Sequence, residues 1–155
     1  MSTEPVPTDP LLLAAVRGLV RASRLVESGT GDLSVADFRV LSIIAMGDAS
    51  PSRIADRLLL SRPTISSTLD SLGKRGLIDR LSVPGDARAA TLSLTQDGAD
   101  LLGRAERRMS RQLELLSERT PDAGQVVAAL AWLDAAMEAV VTDRLARAAS
   151  AATPT

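Results

Sequence analysis

The sequence predicts a mainly α fold interrupted once by a two-stranded β hairpin. Apolar residues recur at three- and four-residue steps along most of the 155-residue chain. The step falls to two only near residues 77–94. There Leu77 to Val83 and Ala90 to Leu94 flank a turn at Pro84-Gly85-Asp86-Ala87. Proline and glycine punctuate the junctions. Two short helices followed by a hairpin, after a preceding helix, is the element order of a winged helix-turn-helix with a two-stranded β wing.

Met1 to Thr8 reads as a frayed arm. Asp9-Pro10 supplies an N-cap with proline at the first helical position, and Leu12, Val16, Leu19 and Val20 carry the first helix to about Val26. Arg17, Arg21 and Arg24 line one stripe of it. Ser28 to Asp32 is a loop. Ser34, with Asp37 three residues on, opens the second helix as a capping-box variant. Its expected buried face is Phe38, Leu41, Ile44 and Ala45, and Gly47 ends it. Ser50-Pro51 opens a third helix, Ser52 to about Leu59. Ser61 opens a fourth, with Pro63 in a first turn that needs no donor there. Ile65, Leu69 and Leu72 are its core stripe and Gly76 stops it. After the hairpin, Thr95 caps a long helix carrying Leu102, Ala105, Met109, Leu113 and Leu116. Thr120-Pro121 is expected to cap the last helix, with Val126, Leu130, Leu133, Met137 and Val140 in step. Ala148 to Thr155 reads as a disordered tail.

Composition removes whole classes of chemistry. There is no Cys, His or Tyr. Disulfides, zinc thiolate sites, the usual general base and the commonest metal ligand are all missing. Lys74 is the lone lysine, the carboxylates lack metal-ligand spacing, and no glycine loop suits a phosphate. An enzyme is therefore not expected, nor a metal or cofactor. No apolar run is read as approaching the ~20 residues that span a bilayer. The acidic, proline-rich start lacks the basic n-region of a signal peptide. The expected location is the cytoplasm, without a membrane partner.

Charge is unevenly distributed. The chain carries a net −1. Between Ser50 and Thr95 seven basic residues (Arg53, Arg57, Arg62, Lys74, Arg75, Arg80, Arg88) face four acids, a net of +3. A basic middle between acidic flanks is a localised electrostatic footprint for a polyanion. In the fourth helix Pro63, Ser67, Asp70 and Lys74 fall opposite the core stripe, flanked by Thr64, Ser66 and Ser71. Small hydroxyls on that side let a helix approach base edges and phosphates closely. Helix N-terminal amides near Arg62 to Thr64 add a phosphate site. Ala55, between Ile54 and Leu58, leaves room for the second helix of the pair to cross the first.

These residues resemble a known family. Ile54-Ala55-Asp56-Arg57-Leu58, Ser61-Arg62-Pro63-Thr64-Ile65-Ser66, Leu69 to Leu72 and Arg75-Gly76-Leu77-Ile78 are similar to the helix-turn-helix of MarR (multiple antibiotic resistance) regulators. Gly85-Asp86-Ala87-Arg88, then Leu92-Ser93-Leu94-Thr95 and Gly98, resembles that family's wing and the start of its long helix. Ser67 departs from the pattern, since many members carry Arg there. Ala87 and Ala89 stand where further charge is common.

The resemblance implies a single domain over 1–155. Residues 9–27 and 95–147 would form dimerisation helices, and 34–94 a winged DNA-binding region. It implies a homodimeric transcriptional regulator, expected to be a repressor, on a pseudo-palindromic operator. Wing Arg88 would enter the minor groove, with Asp86 fixing it. The expected DNA-binding set is Ser50, Ser61, Arg62, Pro63, Thr64, Ser66, Ser67, Asp70, Lys74, Arg75, Arg80, Asp86 and Arg88. The expected dimer contacts are Leu12, Val16, Leu19, Leu113, Leu116, Leu130, Leu133, Met137 and Val140. Related proteins often bind a small anionic or phenolic effector between the dimer helices and the DNA-binding part. Arg17, Phe38 and Met46 are the candidate liners here. The alternative is a winged fold reused as a protein-binding module without direct DNA contact. A salt-dependent shift of duplex DNA separates the two.

Overall fold

The computed structural model describes residues 9–47, 50–83 and 86–151. Along the chain run α1 (Pro10–Glu27), a 3-10 turn (Ser28–Thr30), α2 (Val35–Ala45), α3 (Pro51–Leu58) and α4 (Arg62–Lys74). Then come β1 (Ile78–Val83), β2 (Asp86–Leu94), α5 (Gln96–Ser117) and α6 (Ala123–Ala151). This is a winged helix-turn-helix with long helices on either side.

Helix starts follow the caps. Asp9 Oδ1 accepts from the Leu11 amide at 2.9 Å. Ser34 and Asp37 form a reciprocal capping box, with bonds of 3.0 and 3.3 Å. Ser50, Ser61 and Thr95 each accept from the amide three residues on. Gly47 and Gly76 end α2 and α4 at φ +84° and +68°, a conformation glycine adopts without penalty.

The core lies within the middle of the chain. Its fully buried large side chains are Leu41, Ile54, Ile65, Leu69, Leu72 and Val40, all from α2, α3 and α4. Each contributes about 1.5–3 kcal/mol by leaving water. Ala55 is buried at the α3–α4 crossing, and the Leu60 amide returns to its carbonyl at 3.0 Å to close the corner. The antiparallel hairpin pairs Ile78 with Leu94 and Arg80 with Leu92. Ile78 and Leu92 are buried, which docks the wing root on this core.

Helices α1 and α6 differ. Neither holds a buried residue among those described. Leu11, Leu12, Val16, Leu19 and Val20 of α1 lie open, as do Val127, Trp132, Leu133, Met137 and Val140 of α6.

Several local expectations need correction. Ala45 is exposed, whereas Val40 and Ile43 are buried; α2 is covered on a wider arc than one stripe. The loop after α1 begins as a 3-10 turn because Gly29 lies against the α5 backbone, where a Cβ would come 3.0 Å from the Met109 nitrogen. Asp86 and Ala87 belong to β2 rather than to the turn. Helix α3 stops at Leu58, and Leu59 takes φ +55° at the corner. Asp122, not Thr120, caps α6 by accepting from the Gln125 amide at 2.9 Å; the Thr120 hydroxyl donates back to Ser117 and closes α5. Helix α6 continues to Ala151, into the expected disordered tail. Met1 to Thr8 and residues 152–155 are outside the described set. Finally, Ala123–Arg144 of α6 is long and apolar enough to cross a membrane by length and composition alone. Small alanines, not a visible run of large apolar residues, raise that stretch.

Candidate nucleic-acid interface

Helix α4 divides cleanly. Ile65, Leu69 and Leu72 are buried. Ser66, Ser67, Asp70, Ser71 and Lys74 are exposed, and with Pro63 and Arg75 they line a shallow groove of about 690 Å³. The hydroxyl-bearing side therefore faces outward, as its spacing predicts. Among the described residues, the side chains of Arg62, Ser66, Ser67 and Lys74 have no partner within the chain and are free to meet a ligand.

Other expected contacts are engaged. Ser50 caps α3. Ser61 accepts from the Thr64 amide at 3.3 Å and shares a 2.7 Å bond with the Thr64 hydroxyl. Both hydroxyls hold the start of α4 in place. Arg75 is drawn back onto α2: its Nη1 lies 2.9 Å from Asp37 Oδ2, and its Nη2 donates to the Asp32 carbonyl at 3.4 Å. Asp37 thus serves the α2 cap and the α4 end together.

The wing meets α4 through a second ion pair. Ile78 and Arg80 share one strand face, the side toward the core, because side chains alternate. That turns Arg80 toward α4, where its Nη2 lies 2.5 Å from Asp70 Oδ1. The backbone of β2 includes Asp86 and Arg88; their side chains lie outside the described residues.

The wing root is stitched. The Thr95 hydroxyl donates to the Gly76 carbonyl at 2.7 Å and accepts from the Gly98 amide at 3.0 Å, while the Thr95 amide donates to the Leu77 carbonyl at 3.1 Å. Gly98 packs so closely that a Cβ there would fall 2.0 Å from the Leu77 oxygen.

A further tie joins α3 to α6: Arg57 donates to Glu138. The hydrogen bond from Arg57 holds the Glu138 carboxyl below its usual range, against partial desolvation and with added Coulomb attraction. Arg57 is raised in turn, by that hydrogen bond first, with Glu138 and Asp134 adding attraction against desolvation. Its partners are 81 residues apart, so no local pattern could have signalled it. The same holds for Asp37–Arg75, 38 residues apart.

Of the residues proposed to line an effector pocket, Arg17 is exposed on α1, Phe38 is half-buried against the core and Met46 is 67% exposed at the end of α2. The grooves along α4 and α5 are lined by other side chains.

Residues 31–89, from the α1–α2 loop into the wing, match the model of the MarR family. Over that segment the chain is similar to MarR-family regulators. The HTH-type transcriptional regulator PecS of Dickeya dadantii is 31% identical over 90 residues, covering 55% of this chain and 54% of PecS. The chain thus spans about half the length of that curated relative. The PcaV transcriptional regulator of Streptomyces coelicolor, solved in complex with its natural ligand, is 26% identical with a TM-score of 0.57, covering 99% of this chain and 100% of PcaV. Wild-type MarR from E. coli in its apo form is 23% identical with a TM-score of 0.66, over 82% of this chain and 96% of that one. A mutant of that MarR has been solved with operator DNA; it has a TM-score of 0.63 at 23% identity, over 80% and 90% of the two chains. The fold is the one seen in these solved MarR-family structures.

Proposed function

We propose that this chain is a DNA-binding transcriptional regulator of the MarR family that works as a homodimer in the cytoplasm. The observation that carries the reading is α4 itself. Its apolar side is anchored in the core, and its serine-rich side is open with an unpaired Lys74 and a hairpin directly behind it. Such a helix fits the major groove, with Arg62, Ser66, Ser67 and Lys74 as direct contacts. Pro63 permits close approach. Ser50, Ser61 and Thr64 act by fixing helix starts whose amides face the backbone. Arg88 would enter the minor groove, with Asp86 beside it. The operator complex of the E. coli MarR mutant supports this use of the fold.

The dimer reading rests on α1 and α6. Monomers rarely expose contiguous apolar surface on the scale these two helices offer. Leu12, Val16, Leu19, Leu133, Met137 and Val140, with half-buried Leu113, Leu116 and Leu130, would close against a second copy. On that division 9–27 and 95–147 pair the protomers and 34–94 reads DNA. A two-fold dimer calls for a pseudo-palindromic operator with half-sites about 10 bp apart. Repression, and release by a small effector near Arg17, Phe38 and Met46, complete the proposal; the PcaV–ligand complex supports an effector.

The test is a fluorescence-anisotropy titration of duplex DNA from beside the chain's own gene, across 50–300 mM salt. Binding should weaken steeply with salt and exceed that of scrambled duplex. No binding to either duplex overturns the reading.

A further inference from the structure

The side of α4 that would meet DNA carries one carboxylate, and its sign opposes the task. Asp70 lies among Ser66, Ser67, Ser71 and Lys74 in the α4 groove. Every phosphate repels it, whatever the sequence. Among the described residues its partner is Arg80 on β1, 2.5 Å away. The two side chains remain 60% and 55% exposed, and an ion pair that open contributes little to stability. What the pair does change is the number of free cations at the interface. Among the described residues Arg62 and Lys74 remain unpaired, while Arg80 is occupied.

An ionised carboxylate only accepts hydrogen bonds. In the major groove cytosine presents the N4 amino donor alone. Guanine offers two acceptors, thymine an acceptor and a methyl group, and adenine sets an acceptor beside its donor. A carboxylate is therefore best matched at cytosine, less well at adenine, where an acceptor lies beside the donor, and rejected at guanine and thymine.

Resting on the DNA-binding reading above, we infer that Asp70 is a specificity-determining residue that withholds Arg80 from non-cognate DNA. On random sequence Asp70 keeps Arg80, and one potential phosphate contact per protomer is lost. Where a cytosine amino group meets Asp70, that group replaces the guanidinium and Arg80 turns to the adjacent backbone. Discrimination then comes from weakening the wrong complexes as well as from strengthening the right one.

The experiment uses the full chain with its own upstream duplex and a random duplex of equal length, titrated across 50–300 mM salt. Wild type is compared with Asp70→Asn, Asp70→Ala, Arg80→Ala and the Asp70→Asn/Arg80→Ala pair. Asp70→Asn and Asp70→Ala should bind random duplex several-fold more tightly. Their log–log salt slope should steepen by about 0.9 per protomer, and the specific-to-random ratio should fall at least about five-fold. The gain should vanish in the double variant. Random-duplex binding that is unchanged or weaker in both Asp70 variants overturns the inference. So does a gain that survives loss of Arg80, or a fall in both affinities together with a lowered Tm, which would make the pair a brace for the wing. Wild type that discriminates while the Asp70 variants behave identically removes this inference alone; wild type that binds neither duplex removes the DNA-binding reading with it.

Discussion

Single residues set how the reading helix is presented. Ser61 holds the first turn of α4 through one amide and one hydroxyl. Ser61→Ala should cost about 1 kcal/mol of stability, read by urea denaturation, and should also weaken duplex binding, because the amides it orders face the backbone. Gly98 has no room for a methyl group beside the Leu77 carbonyl. Backbone on both sides cannot yield like a flexible side chain. Gly98→Ala should therefore destabilise by about 3 kcal/mol, at the upper end of overpacking costs, measured by the same melt. In the wing, Arg88→Ala should weaken operator binding by about 1–3 kcal/mol at physiological salt while leaving the melt unchanged.

At the scale of elements, the tie between α3 and α6 has a pH dependence that follows from its chemistry. Glu138 is held below its ordinary value, so the folded state favours the ionised form. The contribution of the tie is complete above the usual glutamate range near 4.3 and is lost as pH falls through the lowered folded value. Arg57, raised from an already high value, stays charged throughout. Glu138→Gln should remove the acid-side component, seen as a smaller drop in Tm between pH 5 and pH 3 than in wild type. Two of the three carboxylates of Ala123–Arg144, Asp134 and Glu138, act on a cation of α3. Such a face belongs with protein and water, not with lipid, although the helix passes a length-and-composition test for a membrane span.

Element order was legible in the sequence because it is written in local signals. Ser34 with Asp37, Ser50-Pro51, Ser61 and Thr95 mark four helix starts, and the period-two segment marks the wing. The serine side of α4 was legible for the same reason: Ile65, Leu69 and Leu72 fix which side is buried. What escaped depends on distant partners. Arg75 reads as a DNA contact from its place after α4, but Asp37 draws it onto α2. Val40 and Ile43 are buried because several elements surround α2, which no single-stripe periodicity reveals. Thr120 and Asp122 are both good caps, so local signals leave the start of α6 open by two residues, and Thr120 settles the competition by closing α5 instead.

For the whole molecule, the division of burial decides the expected assembly. The middle of the chain closes its own core, while α1 and α6 leave their apolar sides open. Leu19→Glu together with Leu133→Glu should yield a monomer by sedimentation at micromolar concentration. Its helix-turn-helix should stay folded, because Ile54, Leu69 and Leu72 do not depend on those positions. Its DNA affinity should fall by several orders of magnitude, since one half-site replaces two.

The stitching at Thr95 also makes the hairpin a lever. Its fulcrum is the Gly76–Leu77 carbonyl pair, gripped by the first turn of α5. Six residues of β1 give an arm of about 20 Å at roughly 3.3 Å per residue. A rotation of about 10° where α5 begins therefore sweeps the far end through some 3–4 Å, roughly the spacing of one base-pair step. Small tilts of the long helix are in this way geared up into displacements that a nucleotide lattice can register.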